Sequence, residues 1–480
     1  MAAAAAPGAA PARPRFRAFA GRLRPAEAGW LVAAVPVLVA IGLWNVLHGF
    51  EVAGAHRAYR ASARGSDWPA AACSAPADAG PAAAAWVADR FKAQQHELRA
   101  DRAGRVLIWY CTHGKACGGH ADRLKGIASA FYLALLSRRA LVVRWEQPDA
   151  LEGYLAPASV AGDWRMAKFR SICPEVAADS AGFAERSGDG LLGDRRAAEC
   201  RMDRLPHGTR VFDTLDDPEA LVRFARGLRG DPDQFVVLKA NQFSAALLAR
   251  AAAALHARPD TRRRLGCLAN PFKAALDLLF RPSVRLDAAL QRHRDALGWA
   301  AGGGGAPVVG IHVRLGNRNQ GFADPKRHAL EDVAQFAECA RYVERYYQLP
   351  AGTRWFLASD SPETAGAFAG LGLAAGKVFG ALDALPAALR EAMIVHTEKS
   401  KRSDAVRGQT YVFLEHLLLA EADYLVLSDS GYGATAAAWG GKTVPFHFRD
   451  CLPLVKPVAE VRHFRARARQ QVAEEIETLN

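Results

Sequence analysis

The chain has no Cys-x-x-Cys pair and no His/Cys cluster at zinc-ligand spacing, which argues against a structural metal. It has no Asn-x-Ser/Thr sequon, so N-glycosylation is not expected. It has no internal repeat, no zinc-finger or RNA-binding signature, and no basic block interleaved with aromatics. The net charge of +13 therefore does not point to nucleic acid: the arginines are scattered through Ala- and Leu-rich stretches. What is present is a 480-residue chain, 50% hydrophobic and 23% charged, long enough for two ordinary domains with appendages.

One further absence locates the chain. From Gly29 to Phe50 there is no Asp, Glu, Lys or Arg, and Trp30 and Trp44 stand near the two ends as interfacial anchors. Arg13, Arg15, Arg17, Arg22 and Arg24 precede this run, so the positive-inside rule keeps the N-terminus cytosolic and sends the remainder into the lumen. The expectation is a type II signal anchor; a cleavable signal peptide ending at Ala53-Gly54-Ala55 is the rival. All eight cysteines follow the span, where an oxidising lumen would pair them. Cys111 and Cys117 are close enough to close a small loop.

The expected organisation is a cytosolic tail at 1–28, the anchor at 29–50, an Ala/Pro-rich stem at 51–103, an α/β domain at 104–300, a second at 306–455 and a tail helix at 456–480. In the first domain, the strand-like run Arg105 to Tyr110 leads to Gly118-Gly119, an apolar helical pattern and a second strand at Ala140 to Val143. That is a βαβ unit, and Phe235 to Leu238 adds a further strand. The run Gly302 to Gly305 reads as a hinge. Beyond it, apolar strands at Val308 to Val313, Trp355 to Ala358 and Tyr424 to Leu427 alternate with helical segments. Two doubly wound, Rossmann-like domains facing across a cleft constitute the GT-B architecture.

Each of the later strands delivers polar groups to its carboxyl end, where open α/β sheets bind ligands. The first carries His312, Arg314, Gly316 and Asn317; the second Ser359, Asp360 and Ser361; the third Ser428, Asp429, Ser430, Gly433 and Thr435. An arginine held at such an edge suits a diphosphate, because its planar fork grips two oxygens and stabilises a departing phosphate. The third set opens a small-residue helix from Ala434 to Ala438, either as an anion seat or as an ordinary N-cap. Beside a nucleotide, Asp360 could accept the N1–H and amino hydrogens of guanine. A metal-dependent alternative rests on Asp231-Pro232-Asp233, an Asp-x-Asp pair that precedes a strand instead of following one and so reads as a turn.

The stretch from Cys117 to Phe131 resembles the glycine-Asp/Asn-Arg-Leu motif that opens the catalytic domain of plant-type xyloglucan fucosyltransferases. His312-x-Arg314-x-Gly316 resembles the phosphate-binding motif of the α1,2-, α1,6- and protein O-fucosyltransferase superfamily, and Ser359 to Pro362 and Ser428 to Ala436 are similar to its later nucleotide-contacting motifs. The resemblance covers roughly residues 105 to 450, with departures at His120-Ala121 and at Asn317, where the family often has Asp. It implies inverting, metal-independent transfer of fucose from GDP-fucose to a glycan or glycoprotein hydroxyl in the Golgi or endoplasmic reticulum, the Golgi membrane being the expected location, with no cofactor beyond the donor. Arg314 and His312 would serve catalysis, with Gly316, Asn317, Ser359, Asp360, Ser428, Ser430, Gly433 and Thr435 around the nucleotide sugar. Gly118, Gly119, Asp122 and Arg123 would line the acceptor side of the cleft, the rival for the last two being an internal pair at a helix start. Asp122, Asp324 and Glu331 are candidates for a general base. A transferase for another nucleotide sugar, and a catalytically silent lumenal glycan-binding protein on the same fold, are the competing functions. Homo-oligomerisation is left open.

Overall fold

The first sheet is built on the run Val-Leu-Ile-Trp-Tyr-Cys, a strand buried along nearly its whole length, as an inner strand of a parallel sheet must be. In the computed structural model it is β1 (Val106–Cys111), and its neighbours are β2 (Ala140–Trp145), β4 (Arg210–Asp213) and β5 (Phe235–Lys239) in the order β2-β1-β5-β4, all parallel. Two short segments, β3 (Leu155–Pro157) and β6 (Phe280–Pro282), pair antiparallel apart from it. The second sheet has the order β12-β11-β10-β7-β8-β9. Its strands are β7 (Val308–Val313), β8 (Arg354–Ser359), β9 (Val378–Gly380), β10 (Tyr424–Leu427), β11 (Pro445–His447) and β12 (Leu452–Pro453), parallel except for β12. Helices run between the strands, so the chain has the α/β fold with parallel sheets that its sequence pattern predicts.

The structure describes residues 76–111, 117–168, 210–228, 230–299, 306–316, 324–383, 385–386, 390, 392–441, 445–449 and 451–453. The expected anchor at 29–50, the tails at 1–28 and 456–480, the glycine hinge and Asn317 lie outside them. No described helix is long and apolar enough to cross a membrane.

One boundary is corrected. Residues 76–100, expected in the stem, form a 25-residue helix that buries Ala83, Val87 and Phe91. Gln95 fixes it to the first sheet: its side-chain amide donates to Leu141 O at 2.7 Å while its oxygen accepts from Leu141 N at 2.8 Å. The Ala- and Pro-rich composition concealed an apolar face with helical spacing.

The core runs without interruption through both sheets, joining Trp109 and Phe131 of the first to Phe356, Phe413 and Trp439 of the second. The Gly431–Gly440 helix, which follows β10, crosses to the first half: Asn270 donates to Ala438 O at 2.7 Å and the Trp439 indole donates to Asp277 at 3.1 Å. Disulfides link Cys111 to Cys117, tying the end of β1 to the glycine turn, and Cys339 to Cys451. Asp231-Pro232-Asp233 forms a turn at the amino end of β5, where Asp233 N donates to Asp231 at 2.9 Å and both backbone carbonyls accept from Arg139. The pair therefore sits at the edge of the sheet opposite to the one where its strand would present a ligand.

Candidate active site

In the second sheet β7 leads outward to β8 and β9 on one side, and the chain then returns to lay β10 on its other side. The carboxyl ends of β7 and β10 thus flank the topological switch point, the crevice in which such sheets bind ligands. His312 and Leu427 are register partners there. Ser428, the first residue past β10, joins the two strands: its hydroxyl accepts from Arg314 N at 3.0 Å and lies 3.2 Å from His312 Nδ1. Burial, followed by the nearby Arg314 charge, pushes the His312 pKa down to about 3, so the ring is neutral. Nε2 of the ring has no hydrogen-bond partner among the described residues.

Arg314 is held from two sides. Its Nη2 donates to Asp324 at 2.8 Å and its Nε lies 3.3 Å from Asp360, while Nη1 makes no bond to any described residue. The guanidinium is therefore oriented by carboxylates and keeps one amino group available. Gly316 makes the bend after the strand: its φ is +70°, and a Cβ there would lie 2.0 Å from Pro325 O.

Asp360 does not have the role expected of it. Its oxygens accept from Leu315 N at 2.8 Å and Gly316 N at 2.9 Å in addition to facing Arg314, and its side chain is 6% exposed. It braces the loop after β7 instead of offering a free edge to guanine. Asp324, a base candidate, is 1% exposed and receives Arg314, Lys399 at 2.5 Å and Arg327 at 3.7 Å. Burial acts to raise its pKa, but Arg314 and then Lys399 outweigh it and hold the carboxyl below its usual range. It is a counter-ion, not a base. Glu331 lies exposed just ahead of the Val333–Tyr346 helix and joins none of these groups.

The remaining second-domain residues are tied into the surrounding structure. Ser359 bonds Thr364 at 2.8 Å and accepts from Ser361 N. Ser430 is an N-cap, accepting from Tyr432 N at 3.3 Å. Thr435 bonds back to Gly431 O and Tyr432 O and meets His416 at 3.0 Å inside the protein. Gly433 gives the helix room against β7, since a Cβ there would stand 3.0 Å from His312 Nδ1.

The glycine turn of the first sheet comes to the same place. Gly118 has φ +78°, and Gly119 N donates to Asp122 at 3.1 Å, starting the His120–Ser137 helix. Glu398, from the second half of the chain, accepts from Cys117 N at 3.1 Å and Gly118 N at 3.4 Å. A Cβ on Gly119 would lie 3.8 Å from the His396 ring. Asp122 pairs with Lys125 at 2.7 Å. Arg123, expected beside these residues on the cleft surface, is instead fully buried: it donates to Gly118 O at 3.0 Å and to Gln147 O, and its guanidinium lies 4.9 Å from the Trp145 ring. Burial pulls its pKa down to about 10, against the pull of Glu398 and Asp122.

Sequence reasoning missed His396, Glu398 and Lys399, which lie in a polar stretch with no apolar period to mark it. It also missed Glu415, whose carboxyl is pushed up to about 8 by burial and by Asp360. Among the described residues no group of three or more His, Cys, Asp or Glu side chains could hold a metal ion.

No family model and no curated protein matches the chain. Among solved structures it is similar to FUT1 of Arabidopsis thaliana, solved as a mutant in complex with GDP, at 15% identity and a TM-score of 0.43, covering 75% of this chain and 74% of that one. It is also similar to the fucosyltransferase NodZ from Bradyrhizobium, at 16% identity, a TM-score of 0.37 and coverage of 70% and 93%. POFUT1 in complex with GDP-fucose is similar at 14% identity, a TM-score of 0.37 and coverage of 73% and 98%. These likenesses are remote, and the functional reading rests on the chain's own residues.

Proposed function

We propose that this chain is a metal-independent glycosyltransferase of GT-B type that moves fucose from GDP-fucose to a glycan or glycoprotein hydroxyl with inversion, as a type II protein of the Golgi membrane. The observation that carries the reading is Arg314 at the β7/β10 switch point, oriented by Asp324 and Asp360 with Nη1 unspent. A fixed guanidinium there meets a donor β-phosphate and stabilises the negative charge that grows as the sugar–phosphate bond breaks. Neutral His312 supplies a second, uncharged hydrogen-bonding group beside the same phosphates or the ribose. No described carboxylate is free and suitably placed to serve as base, so the departing phosphate takes the acceptor proton late in the reaction. Exchange of Arg314 for Lys keeps the charge and loses the fork, and turnover should fall by roughly 10²-fold.

One observation favours a second reading. Because Asp360 is committed to backbone amides, the specificity for guanine has no assigned residue, and a transferase for another nucleoside diphosphate sugar fits the same phosphate site. The full-length protein, given a panel of GDP- and UDP-sugars with and without EDTA, separates the two. Preferential release of GDP from GDP-fucose, undiminished by EDTA, supports the first; preference for a UDP-sugar supports the second; no turnover with any donor refutes both.

A further inference from the structure

Resting on the donor reading above, we infer that Lys399 is a second diphosphate-binding cation of the site, delivered by a preorganised turn of residues 396–400. That turn closes on itself. His396 N donates to Ser400 Oγ at 2.8 Å, Ser400 N donates to His396 O at 3.1 Å, and the amides of Glu398 and Lys399 both donate to His396 Nδ1 at 3.2 Å. An imidazole nitrogen that accepts two N–H groups carries no proton. His396 is therefore neutral, in keeping with a pKa lowered to about 3 by burial and by the neighbouring Arg314 and Lys399.

The turn is fixed at two points on opposite sides of the site. Glu398 holds the Cys117 and Gly118 amides of the first sheet's glycine turn. Lys399 Nζ sits 2.5 Å from one oxygen of Asp324, while Arg314 Nη2 sits 2.8 Å from the other. One carboxylate thus sets the lysine and the arginine side by side. Arg314, Lys399 and Arg327 all reach Asp324, and Arg314 also reaches Asp360, so three cations converge on one buried carboxylate. An ammonium has three protons, and Asp324 engages one of those on Lys399. The Lys399 side chain is 37% exposed against 17% for Arg314, so it stands on the open side of the pair. Two adjacent cations, one a rigid fork and one a mobile point charge, suit a diphosphate better than a single phosphate.

The rival is that Lys399 merely pins the turn to Asp324. Titration of the full-length protein with GDP, GMP and guanosine, for wild type, Lys399→Met and Lys399→Arg, decides between them, with a thermal melt of each variant beside it. The expected result is an affinity for GDP about tenfold or more weaker in Lys399→Met, with GMP and guanosine little changed and with Lys399→Arg close to wild type. Unchanged GDP affinity in a folded Lys399→Met protein overturns the inference, as does an equal loss for all three ligands. If the wild type binds no nucleoside diphosphate at all, the donor reading fails first and takes this inference with it.

Discussion

Substitution of Arg123 by alanine separates a residue that shapes the site from one that touches substrate, and the structure fixes the expected size of the effect. The side chain is fully buried and its removal orphans two backbone carbonyls, Gly118 O and Gln147 O. Each loses a hydrogen bond worth about 1–3 kcal/mol when its acceptor stays buried. The contact of the guanidinium with the Trp145 ring at 4.9 Å adds about 1 kcal/mol, and the emptied volume adds roughly 2 kcal/mol or more. Against this stands relief from burying a charge. The fall of the Arg123 pKa from 12.5 to about 10 corresponds to about 3 kcal/mol recovered. The net loss is about 4 kcal/mol, a drop of roughly 4 °C in the thermal midpoint for a chain of 480 residues at about 2.1 cal/mol/K of unfolding entropy per residue. The assay is a thermal melt beside donor turnover at low temperature, normalised to folded protein by circular dichroism. The variant should melt early and keep most of its turnover per folded molecule. An unchanged melt with turnover abolished would refute the argument and return Arg123 to the substrate surface.

Three further outcomes follow from the geometry. Glu415→Gln should leave the melt nearly unchanged near pH 4, raise it progressively between pH 4.5 and 8, and level off above 8: the folded carboxyl holds its proton up to about 8, so the native form gives up roughly 1.4 kcal/mol per pH unit between the ordinary carboxylate pKa of 4.5 and 8. A pH-independent difference would remove the group from its buried setting. In the acid direction, His312, His396 and His416 each titrate at about 3 when folded and at 6.5 when unfolded, so the unfolded chain binds more protons and stability should fall as pH drops from 6.5 towards 3; a chemical-denaturation series flat over that window would contradict the neutral rings. Ser428→Ala removes the acceptor of Arg314 N and the partner of His312 Nδ1, and should cost about 1–3 kcal/mol in chemical denaturation; stability equal to wild type would show that neither bond is held in the folded protein.

The strands that position the site were legible because they are buried on both faces and so read as unbroken apolar runs: Val106 to Tyr110, Val308 to Val313 and Tyr424 to Leu427. The short strands Val378–Gly380 and Pro445–His447 were not, because three residues carry too little pattern to distinguish a strand from a loop. The same limit applies to side chains. Arg314 was identified because its place at a strand end nearly determines its surroundings. Arg123 was placed on the surface because its burial depends on Trp145 and Gln147, contributed by the end of a different strand. Asp360 was given a ligand because its sequence neighbours are polar, whereas its partners are amides 44 and 45 residues away.

These partners divide the work between the two halves of the chain. The first sheet brings few charged side chains to the junction: Arg123 is interior, and Asp122 is paired with Lys125 at the helix start. What it presents are backbone amides at Cys117 and Gly118 and the shape of a left-handed glycine, which are insensitive to pH and to salt. The second sheet brings the charge, and brings it already restrained, because Arg314 is gripped between the buried carboxylates of Asp324 and Asp360. A guanidinium so fixed needs little reorganisation when a phosphate departs, which is the condition under which an electrostatic group contributes most to a rate. The halves are coupled through residues 396–400, so a change at Glu398 is felt at the glycine turn and at Asp324 together. The least patterned stretch of the sequence near the site is therefore the one that holds its two edges in register.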